Sequence, residues 1–135
     1  NNTAVGAFSL TTNTTGNSNA ALGTDTLRNN TTGSSNTGLG FEVLRLNTTG
    51  YENTAVGQNA LYPGTTAFQN VAVGFNAGGA ITTGYLNTFV GYRAGQVFGF
   101  MVELVARVIK VIIRLLGLLH QMNELKKILL TALMV

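Results

Sequence analysis

Side chains able to do acid–base or nucleophilic chemistry are few, and most sit in a repeating pattern. Asp25 and Glu42 stand 17 residues apart, and Arg28 and Arg45 follow them by three. Carboxylates stacked at that spacing could hold a cation, but the paired arginines neutralise them locally. A hard cation takes about six oxygen ligands or more, so the pattern reads as a surface ion-pair cluster of modest energetic value. The remaining acids are Glu52, Glu103 and Glu124, and the one histidine, His120, falls in a separate apolar tail. With no cysteine there is no thiolate nucleophile, thiolate metal site or disulfide framework. No Ser/His/acid set and no phosphate-binding loop spacing occurs. Neither catalytic residues, a metal nor a cofactor is expected, and the chain is not read as an enzyme.

The polar residues in excess are amides and hydroxyls. Asn13-Thr14-Thr15, Asn30-Thr31-Thr32 and Asn47-Thr48-Thr49 match the N-glycosylation acceptor pattern, a match that is accidental in a bacterial or phage protein. Regular threonine columns raise ice binding, and stacked aromatics (Tyr51, Phe68 and Tyr85 in one phase; Phe41, Phe75 and Tyr92 in another) raise a glycan platform. The plainer readings are solvated β surface for threonine and core or subunit interface for the rings.

These columns exist because the first part of the chain repeats. Gly6, Gly23, Gly40, Gly57, Gly74 and Gly91 are spaced by 17, as are Asn2, Asn19, Asn36, Asn53, Asn70 and Asn87. An apolar residue precedes each of these glycines (Val5, Leu22, Leu39, Val56, Val73, Val90), and Leu10, Leu27, Leu44 and Leu61 hold a further phase that becomes Gly78 and Gly95. Seventeen residues with glycine breaks are too short for a helical hairpin and suit short strands. A fixed period without insertions is what a solenoid requires. At roughly 3.3 Å per residue one coil has a contour of about 56 Å, with Gly or Asn turning the corners. Six coils of parallel β-helix or β-roll are expected over 1–97. The asparagine column is expected either to form an amide ladder or to support each turn. In Ala-Val-Gly both apolar residues recur, so one lines the interior and the other forms an outer apolar stripe. Such stripes mark association, and a homotrimer is the leading assembly, with a dimer also allowed.

Asn53-Thr54-Ala55-Val56-Gly57-Gln58-Asn59-Ala60-Leu61, Asn2-Thr3-Ala4-Val5-Gly6 and Asn70-Val71-Ala72-Val73-Gly74 resemble the head repeats of YadA-like trimeric autotransporter adhesins and related bacterial and phage surface fibres. The resemblance covers about residues 1–95. It implies left-handed parallel β-rolls that trimerise around a central axis, and heads that bind host-surface glycan or matrix. The coil here is longer than the usual head repeat, and no neck, long stalk or β-barrel anchor is recognisable. A fibre or filament segment is therefore expected alongside an adhesin head.

Residues 98–135 have another composition. In 1–97 the charges cancel, about a third of the residues are Asn or Thr, and 15 of the 17 glycines lie there; the net charge of +3 belongs to the tail. A neutral body with scattered tail cations argues against nucleic acid. Leu104, Val108, Val111, Leu115, Leu118, Met122, Leu125, Leu129 and Ala132 alternate by four and three, the spacing of a coiled-coil seam. Val105, Ile109, Ile112, Leu116 and Leu119 form a second apolar row, wider than a trimer seam needs. Docking on the end of the rod, a helical hairpin bending at Gly117, end-to-end joining of trimers and a lipid surface are the candidate ways to cover it. Glu103, Arg107, Lys110 and Arg114 make a membrane span costly, each by roughly 2.5–3.5 kcal/mol at the bilayer centre, although an interfacial cationic helix is allowed.

A chain that starts at Asn1 reads as a processed product, a fragment or an engineered chain, with a fusion near Met101 open. The combined expectation is an extracellular or cell- or virion-surface module without enzymatic activity. It is read as a trimeric surface fibre or adhesin, the alternatives being a filament subunit joined end to end by the tail and a glycan- or ice-binding module.

Overall fold

The computed structural model describes residues 1–96 and 99–133, with side-chain surroundings for 1–96 and 107–130. The chain divides into two compact units, Asn1–Gln96 and Val97–Val135. The first is a parallel β-solenoid of six three-residue strands: β1 (Thr3–Val5), β2 (Ala20–Leu22), β3 (Thr37–Leu39), β4 (Thr54–Val56), β5 (Val71–Val73) and β6 (Thr88–Val90). They pair in chain order, always parallel and always in register with the residue 17 positions on. The chain completes about five turns and leaves the sixth coil partial, fewer than the six full coils expected. The described part of the second unit is one helix, α1 (Gly99–Leu133).

Strand alternation sorts the apolar residues. Ala21, Gly38, Ala55 and Ala72 at the strand centres are buried, while the residues on either side face outward. The interior is completed by Leu10, Leu27, Leu44 and Leu61 together with Val43, Ala60 and Ala77. These leucines occupy the left-handed region, with φ of 49–52°, as do Phe8, Asp25, Glu42, Asn59, Asn76 and Arg93 two positions earlier and Ser18, Ser35, Glu52, Gln69 and Leu86 at a third corner. A left-handed conformation costs an L-residue about 1–2 kcal/mol. Burying a leucine returns about 1.5–3 kcal/mol, which offsets that cost at the interior corner; the other two corners carry it on exposed residues such as Phe8, Ser18, Ser35 and Glu52.

The repeat glycines following β1 to β5 have two reasons to lack a side chain. Gly57 has φ +115°, and a Cβ there would lie 2.7 Å from the Gly74 carbonyl oxygen of the next coil. Asn turns corners at Asn59 (φ 58°) and Asn76 (φ 52°), as expected, but the repeat column does not. The repeat asparagines are absent from the positive-φ residues, and those from Asn19 to Asn70 are buried.

Those asparagines form a ladder. Asn36 donates from Nδ2 to Asn19 Oδ1 (3.2 Å) and to the Gly50 carbonyl (2.8 Å). Its Oδ1 accepts from the Asn53 backbone N–H (3.1 Å) and from Asn53 Nδ2 (3.0 Å). An amide with two donors and two acceptor sites is thereby saturated, and the same set recurs at Asn53 and Asn70. A second ladder runs through Asn13, Asn30 and Asn47. It stops there because the next residue in the column is Gly64, and Asn47 Oδ1 is left buried without a donor.

Candidate functional site: an interaction surface

The ion pairs expected at the coil corners form within each coil. Arg28 Nη1 lies 3.0 Å from Asp25 Oδ1, and Arg45 Nε lies 3.6 Å from Glu42 Oε1, an ion pair beyond hydrogen-bond reach. Arg28 also covers the Phe8 ring at 5.1 Å. Arg45 donates from Nη1 to the Tyr62 hydroxyl at 2.7 Å, and that bond above all raises the guanidinium pKa beyond its ordinary value. Tyr62 occupies the place of Arg28 and Arg45 one coil on, a role its spacing of 17 from Arg45 could have signalled. Asn59, standing where Asp25 and Glu42 stood, keeps a buried Oδ1 with no donor. Among the described residues no group of three or more His, Cys, Asp or Glu converges to hold a metal ion.

The amide and hydroxyl columns are engaged inside the stack. Asn30 and Asn47 are fully buried and spend Nδ2 on the second ladder, which leaves no access for a glycan at those two acceptor sequences. Thr14, Thr31, Thr48 and Thr65 each donate their hydroxyl to the carbonyl of the threonine one coil on, at 2.9–3.3 Å. The adjacent Thr15, Thr32, Thr49, Thr66 and Thr83 are exposed.

Aromatic columns also stack along the rod. Tyr51, Phe68 and Tyr85 have successive centroid distances of 5.0 Å with planes within 9°, and Phe75 and Tyr92 stack at 5.3 Å. Phe41 shares the phase of the latter pair but is separated from Phe75 by Gln58. Because the rings face one another, the column offers edges to its surroundings, and a sugar that packs on a ring face finds one only at the column ends.

On the sheet face the solenoid leaves an apolar column open. Val5, Leu22, Leu39, Val73 and Val90 are 38–68% exposed and run down one face of the sheet. Thr3, Ala20, Thr37, Thr54, Val71 and Thr88 lie beside them on that face, a flank that the two-residue period of a strand implies. Over the first three coils the face dips into a shallow depression of about 320 Å³ lined by Thr3, Val5, Ala20, Leu22, Thr37 and Leu39.

The helix leaves open still more. It passes through Gly117 unbroken, so the helical hairpin, one of the four candidate covers, is not formed; one glycine costs only about 1 kcal/mol relative to alanine. Of the seam residues, Val108, Val111, Leu115, Leu118, Met122, Leu125 and Leu129 are all exposed, and the side chains of Leu104 and Ala132 lie outside the described surroundings. The second row is exposed as well at Ile109, Ile112, Leu116 and Leu119, and Val105 also lies outside the described surroundings. His120 is exposed on the helix, and Glu124 pairs with Lys127 at 2.8 Å. Among the described residues no helix is long and apolar enough to cross a membrane. Comparison with family models, curated proteins and solved structures yields no match.

Proposed function

We propose that the chain is a non-catalytic structural module of an extracellular fibre or adhesin, at a cell or virion surface, that works as a homotrimer. Two surfaces hold the trimer together in this reading. One is the outer valine and leucine column of the solenoid, and the other is the heptad row of the helix from Leu104 to Leu129. The observation that carries the proposal is the run of exposed apolar side chains in both units, including Leu115 at 59% and Leu118 at 56%. A contiguous apolar surface of this extent is uncommon on a monomer and marks association. The seam is spaced for a partner with the same heptad, and the repeat asparagines from Asn36 to Asn70 are taken up by their own ladder. The resemblance to trimeric surface-fibre repeats points the same way.

Light scattering on the full chain tests this. A mass of three chains, or a whole multiple of three, is expected, and Leu115→Glu with Leu118→Glu should lower it. A single-chain mass at every concentration would overturn the proposal.

A further inference from the structure

The helix carries a second row that a trimer leaves uncovered. Ile109, Ile112, Leu116 and Leu119 alternate by three and four, one position after the seam residues Val108, Val111, Leu115 and Leu118, and are 49–61% exposed. The polar side keeps the same step through Arg107, Lys110, Arg114, Gly117, Gln121 and Glu124. All three stripes thus repeat at 3.5 residues per turn. On a straight helix of 3.6 residues per turn such stripes drift by about 20° per heptad, and supercoiling around another helix removes the drift. A bilayer surface selects an apolar face and a cationic face, but it does not select a heptad.

Geometry sends the second row away from the first. At 3.5 residues per turn consecutive residues are about 103° apart, so the two rows are separated by about that angle. In a three-helix coil the neighbours lie about 30° to either side of the seam, and the second row therefore points outward. It is also the shorter row, because its next positions are Asn123 and Lys126. From 109 to 119 it spans about 15 Å, whereas the seam continues apolar to Leu129.

We propose that Ile109, Ile112, Leu116 and Leu119 form a second helix–helix seam, whose occupant is the same row of a chain in another trimer. This rests on the trimeric reading above. Each trimer presents three such rows, so joining does not close at two trimers and leads to larger assemblies. The shorter seam makes the joining weaker than trimerisation and dependent on concentration.

Light scattering of the full chain over a concentration series is the test. The native mass should climb above three chains as concentration rises. A variant carrying Ile109→Gln, Ile112→Gln, Leu116→Gln and Leu119→Gln should stay at three throughout, with its helical circular dichroism retained. A native mass fixed at three, or a variant that still climbs, would sink the second seam while leaving the trimer standing; a native single-chain mass would remove both. Because the chain has no cysteine, Leu116→Cys supplies a second handle if the fourfold variant does not fold. After oxidation its native mass should be locked above three chains, and disulfide pairs confined to a three-chain particle would refute the proposal. Anionic phosphatidylglycerol vesicles provide the remaining contrast. Helix-dependent vesicle binding together with a native mass that never exceeds three would assign the row to lipid instead.

Discussion

The two units meet the same requirement in opposite ways. In the solenoid each coil supplies what the next one needs: the Asn36 amide spends all its donors and acceptors on Asn19, Gly50 and Asn53, and the leucine column is sealed at 0% exposure from Leu27 to Leu61. In the helix every described side chain from Arg107 to Leu130 is exposed, including its isoleucines and leucines. Repetition along one chain builds a core from short range upward, because identical side chains meet identical side chains 17 residues on. Repetition along one helix builds only a stripe, and a stripe has no core until another helix arrives. The solenoid is specified by its own sequence, and on the trimeric proposal the helix is specified by its assembly.

Dilution should separate them most sharply. A helix held by association loses its partners by mass action, and most helical stability comes from packing an apolar face. Across about a hundredfold dilution of the full chain, the helical far-UV signal should fall by more than about half at constant near-UV tyrosine signal. The tyrosines all lie in the solenoid, so the two signals report on the two units independently. A parallel loss of both would mean that the solenoid depends on association too, and the comparison would fail.

The next largest effect lies inside the solenoid. Asn53→Ala removes the partner of the Ala67 carbonyl and of the Asn70 backbone N–H, together with one of the acceptors of Asn70 Nδ2 and one of the donors to Asn36 Oδ1. Each buried group left unpaired costs about 1–3 kcal/mol, so a loss of more than about 3 kcal/mol is expected in urea unfolding followed by tyrosine signal. Asn87→Ala is the internal control, since Asn87 is half-buried and no further rung depends on it; it should cost about 1 kcal/mol. Equal costs at the two positions would show that the ladder does not brace the coil.

Most of the solenoid was legible because a period of 17 appears in both sequence and register. The six strands, the placing of Ala55 and Val56 on opposite faces and the Asp25–Arg28 pairing follow from spacing alone, whereas which of the two faces inward does not. The corners were less legible. Glycine announces a left-handed residue, but Leu44 at φ 49° does not, and neither do the exposed Ser35 and Glu52; the corner conformation belongs to the closed coil and not to the residue type. The repeat asparagine column stays open between ladder and turn because asparagine serves both with the same amide, and a position inside or outside the coil decides which; the Asn13, Asn30 and Asn47 column reads only as an acceptor pattern. The helix was legible as a helix. Its continuity through Gly117 was not, since one residue's propensity is outweighed by a 35-residue run.

A smaller effect tests how far the interior tolerates exchange between columns. Coils five and six replace the corner leucine by Gly78 and Gly95, and the strand-centre alanine by Phe89. A Cβ at Gly78 would meet Leu61 Cδ2 at 2.6 Å and Phe89 Cδ2 at 3.2 Å, and one at Gly95 would run into the Phe89 ring. The ring thus fills the volume that two leucines would have taken. Gly78 has φ +66°, close to the conformation that Leu61 already adopts, so space rather than backbone is what excludes leucine there. Gly78→Leu should therefore destabilise by about 1–3 kcal/mol through overpacking, and Phe89→Ala by about 3–5 kcal/mol through the cavity it leaves. Together they restore the leucine–alanine arrangement of the fourth coil, and the double variant should recover at least about 1 kcal/mol relative to the sum of the singles. The tip of Leu61 must shift to admit the new side chain, which it can do because Leu27, Leu44 and Leu61 already stack in that column. Strict additivity in urea unfolding would show that Phe89 is held for its exposed edge and not for the volume it fills.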